Sequence, residues 1–286
     1  MASFNIGIDT GGTYTDAVIL NTESREVVAS AKALTTRGDL SIGVIEALGQ
    51  VMTASADTVS ADKISLVSLS TTLATNALVE GQGSRVGVIL IGFDDVMLER
   101  SNLESAIPTA VVTRVAGGHN YAGAEACPLD EAAIRATLES EKDGFGASAV
   151  ASHYSVRNPA HERRAQEIIR EVTGCPVTAS HELSEALNGP RRALTAAFNA
   201  RIISMIVSLV DAVRGALAGH DITAPLMIVK GDGSIASAEA IVEKPIETIL
   251  SGPAASVIGA NFLSKKPNFI ISDIGGTTTD VAIVKN

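Results

Sequence analysis

The sequence predicts an α/β protein, because short apolar runs alternate with longer amphipathic stretches along its 286 residues. Two regions at opposite ends of the chain are nearly the same. Residues 4–20 read FNIGIDTGGTYTDAVIL, and residues 269–284 read FIISDIGGTTTDVAIV. In each copy an apolar run, an Asp and a Gly-Gly turn precede Thr-x-Thr-Asp and a second apolar run. A short glycine turn between two apolar runs is typical of a β-hairpin, so the chain is predicted to contain two hairpins built alike.

The other elements follow from the spacing of apolar residues. Leu40, Val44, Leu48 and Val51, for example, share one face of a predicted helix. The longest apolar stretch, residues 194–217, contains three charged side chains, which favours a buried helix over a membrane span. We predict strands over 26–34, 64–69, 85–91, 147–152, 176–179 and 226–229, and helices over 39–55, 73–79, 131–142, 158–173 and 191–217, with a further helix beginning at 250.

Composition excludes some classes of partner. Hydrophobic residues make up 46% of the chain and aromatic residues 3%, so the core is predicted to be aliphatic. A net charge of −10 argues against nucleic acids and anionic membranes as partners. No basic segment followed by an apolar one is visible at the N-terminus, and we expect a cytoplasmic protein. Cys127 and Cys175 lack the spacing of a metal site and are expected to be free thiols.

The residue types in the two hairpin turns suit a polyphosphate and magnesium. Glycine lets a backbone approach a ligand closely, and consecutive N–H groups in such a turn bind anions. Asp9 and Asp273, just before the turns, could hold Mg²⁺ through its waters, since magnesium uses few carboxylates together with phosphate oxygens. Ordinary hairpins are the alternative for either copy alone. The duplication favours two halves that face one another across a polyphosphate.

The motifs DTGGTYTD (9–16) and DIGGTTTD (273–280) resemble the two phosphate motifs of the actin, Hsp70 and sugar-kinase superfamily. The similarity is greatest to the hydantoinase/5-oxoprolinase (hydantoinase A) family, and it extends over STTLATNALVEG (70–81), NPAHE (158–162) and LSGPAASVIGA (250–260). The resemblance implies an RNase H-like domain, of the actin-like ATPase type, over residues 1–182. It implies a helical connector and the beginning of a second such domain over residues 183–286, and hence a truncated, catalytically incomplete chain.

The same resemblance implies a function. Members of the family hydrolyse a cyclic amide such as hydantoin or 5-oxoproline with ATP, and the γ-phosphoryl group would pass to the amide oxygen. Asp9 and Asp273 would be catalytic and would hold Mg²⁺ through water. The substrate would lie near Thr71, Thr72 and Asn76, and the partner would be a subunit of the hydantoinase B type or a second copy of the chain. ATP would contact Gly11, Gly12, Thr13, Thr15, Gly252, Gly275, Gly276, Thr277 and Thr278.

Two other functions stay open at this point. One is a kinase or a reactivating ATPase of the same superfamily, in which ATP drives domain motion. The other is a truncated, non-catalytic subunit that binds nucleotide. The loop at residues 230–234, KGDGS, lacks the spacing of a Walker A motif, so a P-loop site is not predicted.

A group of polar residues is predicted at the end of the strand 147–152. His153 follows that strand directly, and His161 and Glu162 lie in the first turn of the next helix. One interpretation is a metal or substrate-lining site, and the other is an ordinary helix N-terminus with a proline near its start. The residues after His161 do not match HExxH, which excludes that zinc motif. His119, in a glycine-rich loop, is expected to be a loop residue only.

Overall fold

A computed structural model describes residues 3–36, 39–141, 144–264, 266–275 and 279–285. The chain contains helices together with parallel and antiparallel strands, so the predicted α/β class is confirmed. The strands are β1 (Phe4–Thr10), β2 (Tyr14–Asn21), β3 (Val27–Leu34), β4 (Ile64–Thr71), β5 (Val86–Ile91), β6 (Val111–Val115), β7 (Ala147–Ser152), β8 (Val177–Ala179), β9 (Leu226–Val229), β10 (Ile235–Ser237), β11 (Phe269–Ile274) and β12 (Thr279–Val284). The α-helices are α1 (Leu40–Ala54), α2 (Leu73–Val79), α3 (Asp95–Ser101), α4 (Leu103–Ala106), α5 (Glu131–Glu141), α6 (Ala160–Thr173), α7 (Ser180–Leu183), α8 (Gly189–Gly219), α9 (Ala238–Glu243) and α10 (Ser251–Ser264).

Contacts divide the chain into two compact units. The first comprises residues 1–80 and 205–286, and the second comprises residues 81–204. This grouping differs from the boundary predicted between residues 182 and 183. One reason is that β9 pairs with β4, so a late segment of the chain joins the sheet of the first unit. The other is that α8 begins in the second unit and ends in the first. The family-based domain boundary stays a prediction.

The first unit contains a six-stranded sheet in the order β10-β9-β4-β1-β2-β3. β1, β2 and β3 are antiparallel neighbours, whereas β4 runs parallel to β1 and β9 runs parallel to β4. Three antiparallel strands followed by parallel ones match the predicted RNase H-like arrangement. Alternate residues of β1, among them Ile6 and Ile8, are buried in one core with Val44 and Leu48 of α1 and Val210 of α8. β11 and β12 form the second hairpin as a separate two-stranded sheet.

The second unit contains a four-stranded parallel sheet in the order β6-β5-β7-β8. Every residue of β5 and β7 is buried, which is typical of parallel strands with helices on both faces. Leu90 and Ala149 belong to a core that includes residues of the first half of α8. Ile89 and Val150 belong to a second core, with residues of α5 and α6.

Most of the predicted elements are present. The strands over 147–152 and 226–229 and the helix over 73–79 have the predicted bounds. The sequence does not predict β6, α4, α7, β10 or α9. β6 is an edge strand, VVTRV, that is mostly half-buried and contains a charged residue. The other four contain six residues or fewer, which is too short for apolar periodicity to show.

α8 is the long apolar helix that the sequence predicts to be buried. Among the described helices, it alone is long and apolar enough to cross a membrane, and 61% of its most apolar window is buried inside the protein. The core helix of a globular protein meets the same test of length and composition. Ala197 and Ala200 place its first half in the core of the second unit. Ile206 and Val213 place its second half in the core of the first.

Candidate functional site

The first hairpin brings two carboxylates together. β1 and β2 pair so that Asp9 lies directly opposite Asp16. Because side chains alternate along a strand, both lie on the face opposite to the buried Ile8 and Ala17. Like charges directly opposite one another on adjacent strands destabilise the pair. Lys32 of β3 forms an ion pair with Asp16, with 3.0 Å between Nζ and Oδ1, and compensates part of the negative charge.

Asp9 is also held by a serine of the neighbouring parallel strand. Ser70 Oγ donates a hydrogen bond to Asp9 Oδ1 at 2.5 Å. Burial raises the pKa of Asp9 above its ordinary value, and the charges of Asp16 and Asp273 raise it further, whereas Ser70 and Lys32 lower it. A cation bound here would therefore be stabilised, because its attraction would offset the repulsion between neighbouring carboxylates.

The second hairpin repeats this arrangement. β11 and β12 pair so that Asp273 lies directly opposite Asp280. Ser256 Oγ of α10 donates to Asp273 Oδ2 at 2.5 Å. Each hairpin thus sets its first aspartate against its last and holds the first by a serine hydroxyl. Both hairpins belong to the first unit, and the effect of Asp273 on the pKa of Asp9 means that these two carboxylates lie within electrostatic reach. The two predicted catalytic aspartates therefore lie in the same unit, and the charge of Asp273 acts on Asp9.

These carboxylates suit a hydrated cation. Among the described residues, no three His, Cys, Asp or Glu side chains converge on a position that could hold a metal ion directly. The site is nevertheless negative, because the charges of Asp9, Asp16 and Asp273 together exceed the charge of Lys32. Magnesium commonly keeps several waters and uses one or two carboxylates with phosphate oxygens. An ion held through its waters is the form that fits this donor set.

Backbone groups of the turn between β1 and β2 lie at the same end of these strands as Asp9. The Gly11 N–H is used within the turn and donates to Tyr14 O at 3.0 Å. A Cβ at position 11 would approach the same oxygen to 3.0 Å, which explains the glycine. The carbonyl oxygen of Thr13 accepts from the Thr35 N–H at 2.9 Å and fixes the turn to the end of β3. The Gly12 N–H has no hydrogen-bond partner in the described part of the chain, so it is available to an anion.

Some of the residues predicted to contact phosphate do not lie at the turn of the first hairpin. Thr15 is buried on the face of β2 opposite to Asp16, and its hydroxyl lies 3.1 Å from that of Thr35. The structure therefore does not bring Thr15 together with Asp9. Gly275 directly follows β11, at the start of the second turn. The predicted contacts at Gly276, Thr277 and Thr278 lie outside the described residues.

The end of β4 packs against the start of α10. Ser251 Oγ donates to Thr71 O at 2.9 Å and accepts from the Thr71 N–H at 3.3 Å. Asn76 Nδ2 donates to Thr72 Oγ1 at 3.2 Å, and a Cβ at Gly252 would approach Thr72 Cγ2 to 3.2 Å. Four predicted site residues, Thr71, Thr72, Asn76 and Gly252, are therefore neighbours. They adjoin the first hairpin, since β4 is the parallel neighbour of β1.

In the second unit, Glu162 is completely buried. Its Oε1 accepts hydrogen bonds from the Ser152 N–H at 2.6 Å and from Ser180 Oγ at 2.7 Å. Its Oε2 accepts from the His181 N–H at 3.0 Å and from His181 Nδ1 at 2.6 Å. Burial alone would raise the pKa of Glu162, but these hydrogen bonds lower it below its usual value. Glu162 is thus an ionised carboxylate that ties together the ends of β7 and β8.

His161 and Glu162 are adjacent in sequence but bind different partners. His161 Nδ1 accepts from the Gly118 N–H at 2.9 Å, so its Nε2 carries the proton and donates to Glu125 Oε1 at 2.9 Å. His153 makes neither of these contacts. The metal interpretation of His153, His161 and Glu162 is therefore not supported among the described residues. Their role in lining a substrate stays a prediction.

Sequence reasoning missed two histidines of this unit. His119, expected to be a loop residue only, is buried and its ring lies 4.3 Å from that of His161. His181 is not singled out from the sequence, yet it binds the buried Glu162. A signal for His181 exists in the sequence, because it lies two residues after a predicted parallel strand, whose carboxyl end shares one edge of the sheet with the end of the strand before His153. His119 follows β6, which the sequence does not predict.

Known proteins resemble the chain along most of its length. The acetophenone carboxylase gamma subunit of Aromatoleum aromaticum is 30% identical to it, over 98% of this chain and 42% of its own. The caprolactamase subunit alpha of Pseudomonas jessenii is 28% identical, over 99% of this chain and 43% of its own. A nucleotide-free structure of acetone carboxylase, an enzyme of ATP-dependent acetone carboxylation, shares the fold, with a TM-score of 0.83 and 22% identity over 100% of this chain and 44% of its own.

The chain thus spans less than half the length of these relatives. The model of the hydantoinase/oxoprolinase N-terminal region matches residues 5–173, which include nearly all of the first hairpin, β4 and the strands β5, β6 and β7 of the second unit. The hydantoinase/oxoprolinase model matches residues 192–286, which include α10 and the second hairpin. With both models matched in order along the sequence, the chain belongs to the hydantoinase/oxoprolinase family.

Proposed function

We propose that the chain binds the phosphates of ATP together with Mg²⁺ for an enzyme that opens a cyclic amide such as hydantoin or 5-oxoproline. The observation that carries this proposal is the duplicated aspartate arrangement of the two hairpins. Asp9 and Asp273 each lie opposite a second aspartate, each accept a serine hydroxyl, and are within electrostatic reach of one another. A negative site beside glycine turns suits a cation that bridges a polyphosphate.

The relatives support both ATP and a cyclic amide. One relative is named as a caprolactamase, a name that denotes a lactam substrate, and the family description includes hydantoinase and oxoprolinase. The structural relative is an enzyme of ATP-dependent carboxylation. Water attacks an amide slowly because resonance stabilises the amide bond and its nitrogen is a poor leaving group. Transfer of a phosphoryl group from ATP to the amide oxygen would weaken that resonance.

The proposed reaction begins with transfer of a phosphoryl group to the amide oxygen. The amide oxygen attacks the γ-phosphorus of ATP, and ADP leaves. Water adds to the carbon of the phosphorylated amide, and the ring C–N bond breaks as the nitrogen takes up a proton. The remaining acyl phosphate is hydrolysed to a carboxylate and inorganic phosphate. Phosphoryl transfer depends mainly on positioning and charge stabilisation. Asp9 and Asp273 would hold hydrated Mg²⁺, which when bound neutralises charge on the transferred group, and the Gly12 N–H would bind a phosphate oxygen.

The proposal also covers the residues that line the substrate, the partner subunit and the cellular location. Thr71, Thr72 and Asn76 would line the substrate, because they lie together beside β1. The names of two relatives as gamma and alpha subunits support a partner subunit, which we propose to be of the hydantoinase B type, with a second copy of the chain as the alternative. A cytoplasmic location belongs to the same proposal.

One observation favours a second candidate, ATP-dependent carboxylation. The relative at 30% identity is a subunit of acetophenone carboxylase. ATP could activate a carbonyl oxygen in either reaction, so the hairpin site would serve both. ADP release that requires a ketone and bicarbonate, and that a cyclic amide does not support, would favour carboxylation.

Thermal melting with Mg-ADP and Mg-ATP tests the nucleotide site. A ligand at a hundred times its Kd stabilises a protein by about 2.7 kcal/mol, which a melting curve detects. We expect Asp9→Asn to abolish this shift and Asp57→Asn, an exposed aspartate of the same unit, to preserve it. No shift for either nucleotide at millimolar concentration in the wild-type chain would contradict the proposal. Binding without ring opening of any cyclic amide would favour the kinase, the reactivating ATPase or the non-catalytic subunit.

A further inference from the structure

β6 is an edge strand of the sheet in the second unit, and its outer side has no neighbour among the described strands. The sheet has the order β6-β5-β7-β8, so its two edges are β6 and β8. β8 contains three residues, and such a short edge offers little to pair with. β6 contains five, VVTRV, with no proline among them. Native proteins usually protect an edge of this kind, because its free N–H and C=O groups pair with other strands.

The pairing of β6 with β5 uses alternate residues of β6. Val115 lies opposite Ile91, and its carbonyl oxygen accepts from the Gly92 N–H at 3.0 Å. Every second residue of a strand directs its backbone groups to the same side, so the odd-numbered residues of β6 bond to β5. The backbone groups of the intervening residues point away from β5, and these residues are Val112, Arg114 and Ala116.

Most of these outward backbone groups are free. Among the described residues, neither the N–H nor the C=O of Val112 or of Arg114 has a hydrogen-bond partner. The Ala116 C=O accepts from the Asp130 N–H at 3.0 Å, so only the Ala116 N–H is free in the described structure. Before β6, the Ala110 N–H donates to a preceding carbonyl oxygen at 2.9 Å, which leaves its C=O. We call this row of backbone groups, from Ala110 to Ala116, the open β6 edge.

An open cleft of about 680 Å³ lies beside the open β6 edge. Six consecutive residues, 112–117, line it together with Gly92, Phe93 and Cys127. Because side chains alternate between the two faces of a sheet, a cleft on one face would be lined by every second residue of β6. Lining by consecutive residues means that the cleft follows the edge of the strand. An added strand could therefore reach the free backbone groups, as in other cases of β-strand addition.

The open β6 edge is complementary to itself in one antiparallel register. In antiparallel strands, the two opposite residues of a hydrogen-bonded pair exchange both N–H···O bonds, and the next pair exchanges none. A two-fold axis at Thr113 sets Val112 of one copy opposite Arg114 of the other, so that free groups meet free groups. The same axis sets Ala116 opposite Ala110, where the free N–H of one meets the free C=O of the other.

The side chains agree with this register. Thr113 would lie opposite Thr113 of the second copy, at a Cα separation of about 4.5 Å, and paired threonines stabilise a sheet. Arg114 would lie opposite a valine, and it already forms an ion pair with Asp95, with 2.5 Å between Nη1 and Oδ1. Moving the axis to Arg114 would set two arginines opposite one another, which disfavours that register. Moving it to Val112 would set Arg114 opposite Ala110, whose N–H is already used.

We propose that two copies of the chain pair antiparallel through the open β6 edge, about a two-fold axis at Thr113. Their four-stranded sheets would then form one continuous sheet. Self-complementary contacts of this kind close as a dimer. The inference does not depend on the nucleotide site, because both hairpins belong to the first unit. One strand pair is a small interface, so the association is expected to be reversible and to depend on concentration.

Charge exchange at the two-fold axis tests the pairing. Sedimentation velocity of the wild-type chain should show a monomer at micromolar concentration and a dimer towards millimolar. Thr113→Glu and Thr113→Lys each set like charges opposite one another and should each weaken the dimer by about tenfold or more. An equimolar mixture of the two variants should restore it, because opposite charges then meet. Thr173→Lys changes a half-buried threonine just before β8, at the other edge of the sheet, and is the matched control.

Proline at the next position separates the backbone bonds from the side chains. Arg114→Pro removes an outward N–H but no hydrogen bond to β5, and edge strands tolerate proline at such positions. By symmetry the dimer loses two hydrogen bonds, so we expect association to weaken by about a hundredfold, or about tenfold for each bond. Arg114→Ala removes the ion pair with Asp95 but keeps the N–H, and it should preserve the dimer.

Melting curves of all variants show which of them fold, and the two Arg114 variants carry the test if a Thr113 variant does not. A wild-type chain that stays monomeric at every concentration would overturn the inference. A dimer that Arg114→Pro leaves intact, or that the mixture of folded Thr113 variants does not restore, would overturn it as well. Dimer formation that follows these expectations in a chain that Mg-ADP does not stabilise would support the pairing and contradict the proposed function alone.

Discussion

Asp9 and Asp16 lie directly opposite one another across the first hairpin, and burial together with the charge of Asp16 raises the pKa of Asp9. Asp273 and Asp280 face one another in the same way across the second. A sequence selected for stability alone would avoid such pairs, because like charges at this spacing destabilise a sheet. Repeated in both hairpins, they indicate a site whose stability depends on what it binds.

Replacing Asp9 by asparagine is therefore expected to stabilise the ligand-free chain. The raised pKa means that the folded chain binds this proton more tightly than the unfolded chain, so the charged form costs stability. This cost is absent below the ordinary value of 3.8, develops as the pH rises through the folded pKa, and is complete above it. We expect Asp9→Asn to raise stability at pH 7 by about 0.5–2 kcal/mol, the range usual for relief of a strained functional group.

Melting curves of wild type and Asp9→Asn between pH 4 and pH 8 check this, with Asp57→Asn as the exposed control. The advantage of Asp9→Asn should grow as the pH rises and should reverse when Mg-ADP is added. A variant that is less stable than wild type at pH 7 without ligand would show that Asp9 is structural.

Removal of the Glu162 carboxylate is expected to have the opposite effect. Glu162 is completely buried and receives four hydrogen bonds, so Glu162→Ala leaves His181 and Ser180 without their acceptor. Leaving a buried donor without its acceptor costs about 1–3 kcal/mol for each group. Because the folded pKa is lowered, the contribution of the charge is present above the ordinary value of 4.5 and is lost as the pH falls through the folded pKa.

Denaturant unfolding of wild type and Glu162→Ala at pH 7 and at pH 4 measures the stability that the carboxylate contributes and how much of it is lost on acidification. Glu139→Ala, an exposed glutamate on α5 of the same unit, is the control and should change stability by less than about 0.5 kcal/mol. Similar stabilities of Glu162→Ala and Glu139→Ala at pH 7 would contradict the buried network.

The hairpin site of the first unit and the Glu162 network of the second unit can be predicted from the sequence to different extents. The two hairpins could be predicted because the motif is local and occurs twice, and the role of Asp9 and Asp273 stays a proposal. The serines that hold these aspartates could not, since Ser70 is 61 residues from Asp9 in the chain and reaches it only through the pairing of β1 with β4. Thr15 shows a further limit. It shares the motif with Asp16 but points to the other face, as the alternation along β2 requires.

The second unit shows why contacts between strand ends escape sequence reasoning. Sequence adjacency groups Glu162 with His161, yet the partners of Glu162 come from the end of β7 and from Ser180 and His181 after β8. Only the strand order β6-β5-β7-β8 makes these segments neighbours. β6 itself, an edge strand of five residues, gives no clear apolar period.

Two glycines of the first unit offer a matched pair of alanine substitutions. A Cβ at Gly231 would lie 1.9 Å from the carbonyl oxygen of Ile249, and the Gly231 N–H donates to Glu247 O at 2.8 Å. The loop after β9 is thus pressed against the backbone just before α10. Gly215 lies in α8, and a Cβ there would meet no atom within 4 Å.

We expect Gly231→Ala to lower stability by at least about 2 kcal/mol, because backbone rather than a mobile side chain must move. Gly215→Ala should raise it by about 0.5–1 kcal/mol, the difference between glycine and alanine within a helix. Thermal unfolding of both variants measures these two changes in stability. A tolerated Gly231→Ala would mean that the loop and the segment before α10 separate without cost.

The two serines that donate to the hairpin aspartates provide the last prediction. Ser70 holds Asp9 from β4, and Ser256 holds Asp273 from α10, each at 2.5 Å. If the two hairpins act alike on one Mg-nucleotide, each serine fixes the carboxylate that binds the hydrated ion. A carboxylate that loses its positioning partner binds the metal more weakly, by about 10–100-fold for such supporting residues.

We therefore expect Ser70→Ala and Ser256→Ala each to weaken Mg-ADP binding by about tenfold or more, as measured by calorimetry. Ser68→Ala is the control, because Ser68 lies on the same face of β4 as Ser70 but donates to the Ile6 carbonyl oxygen instead of a carboxylate. Weakening by Ser70→Ala alone would mean that only the first hairpin contacts the nucleotide. Unchanged affinity in both variants would show that the serine hydroxyls, although close to Asp9 and Asp273, do not position them for a metal.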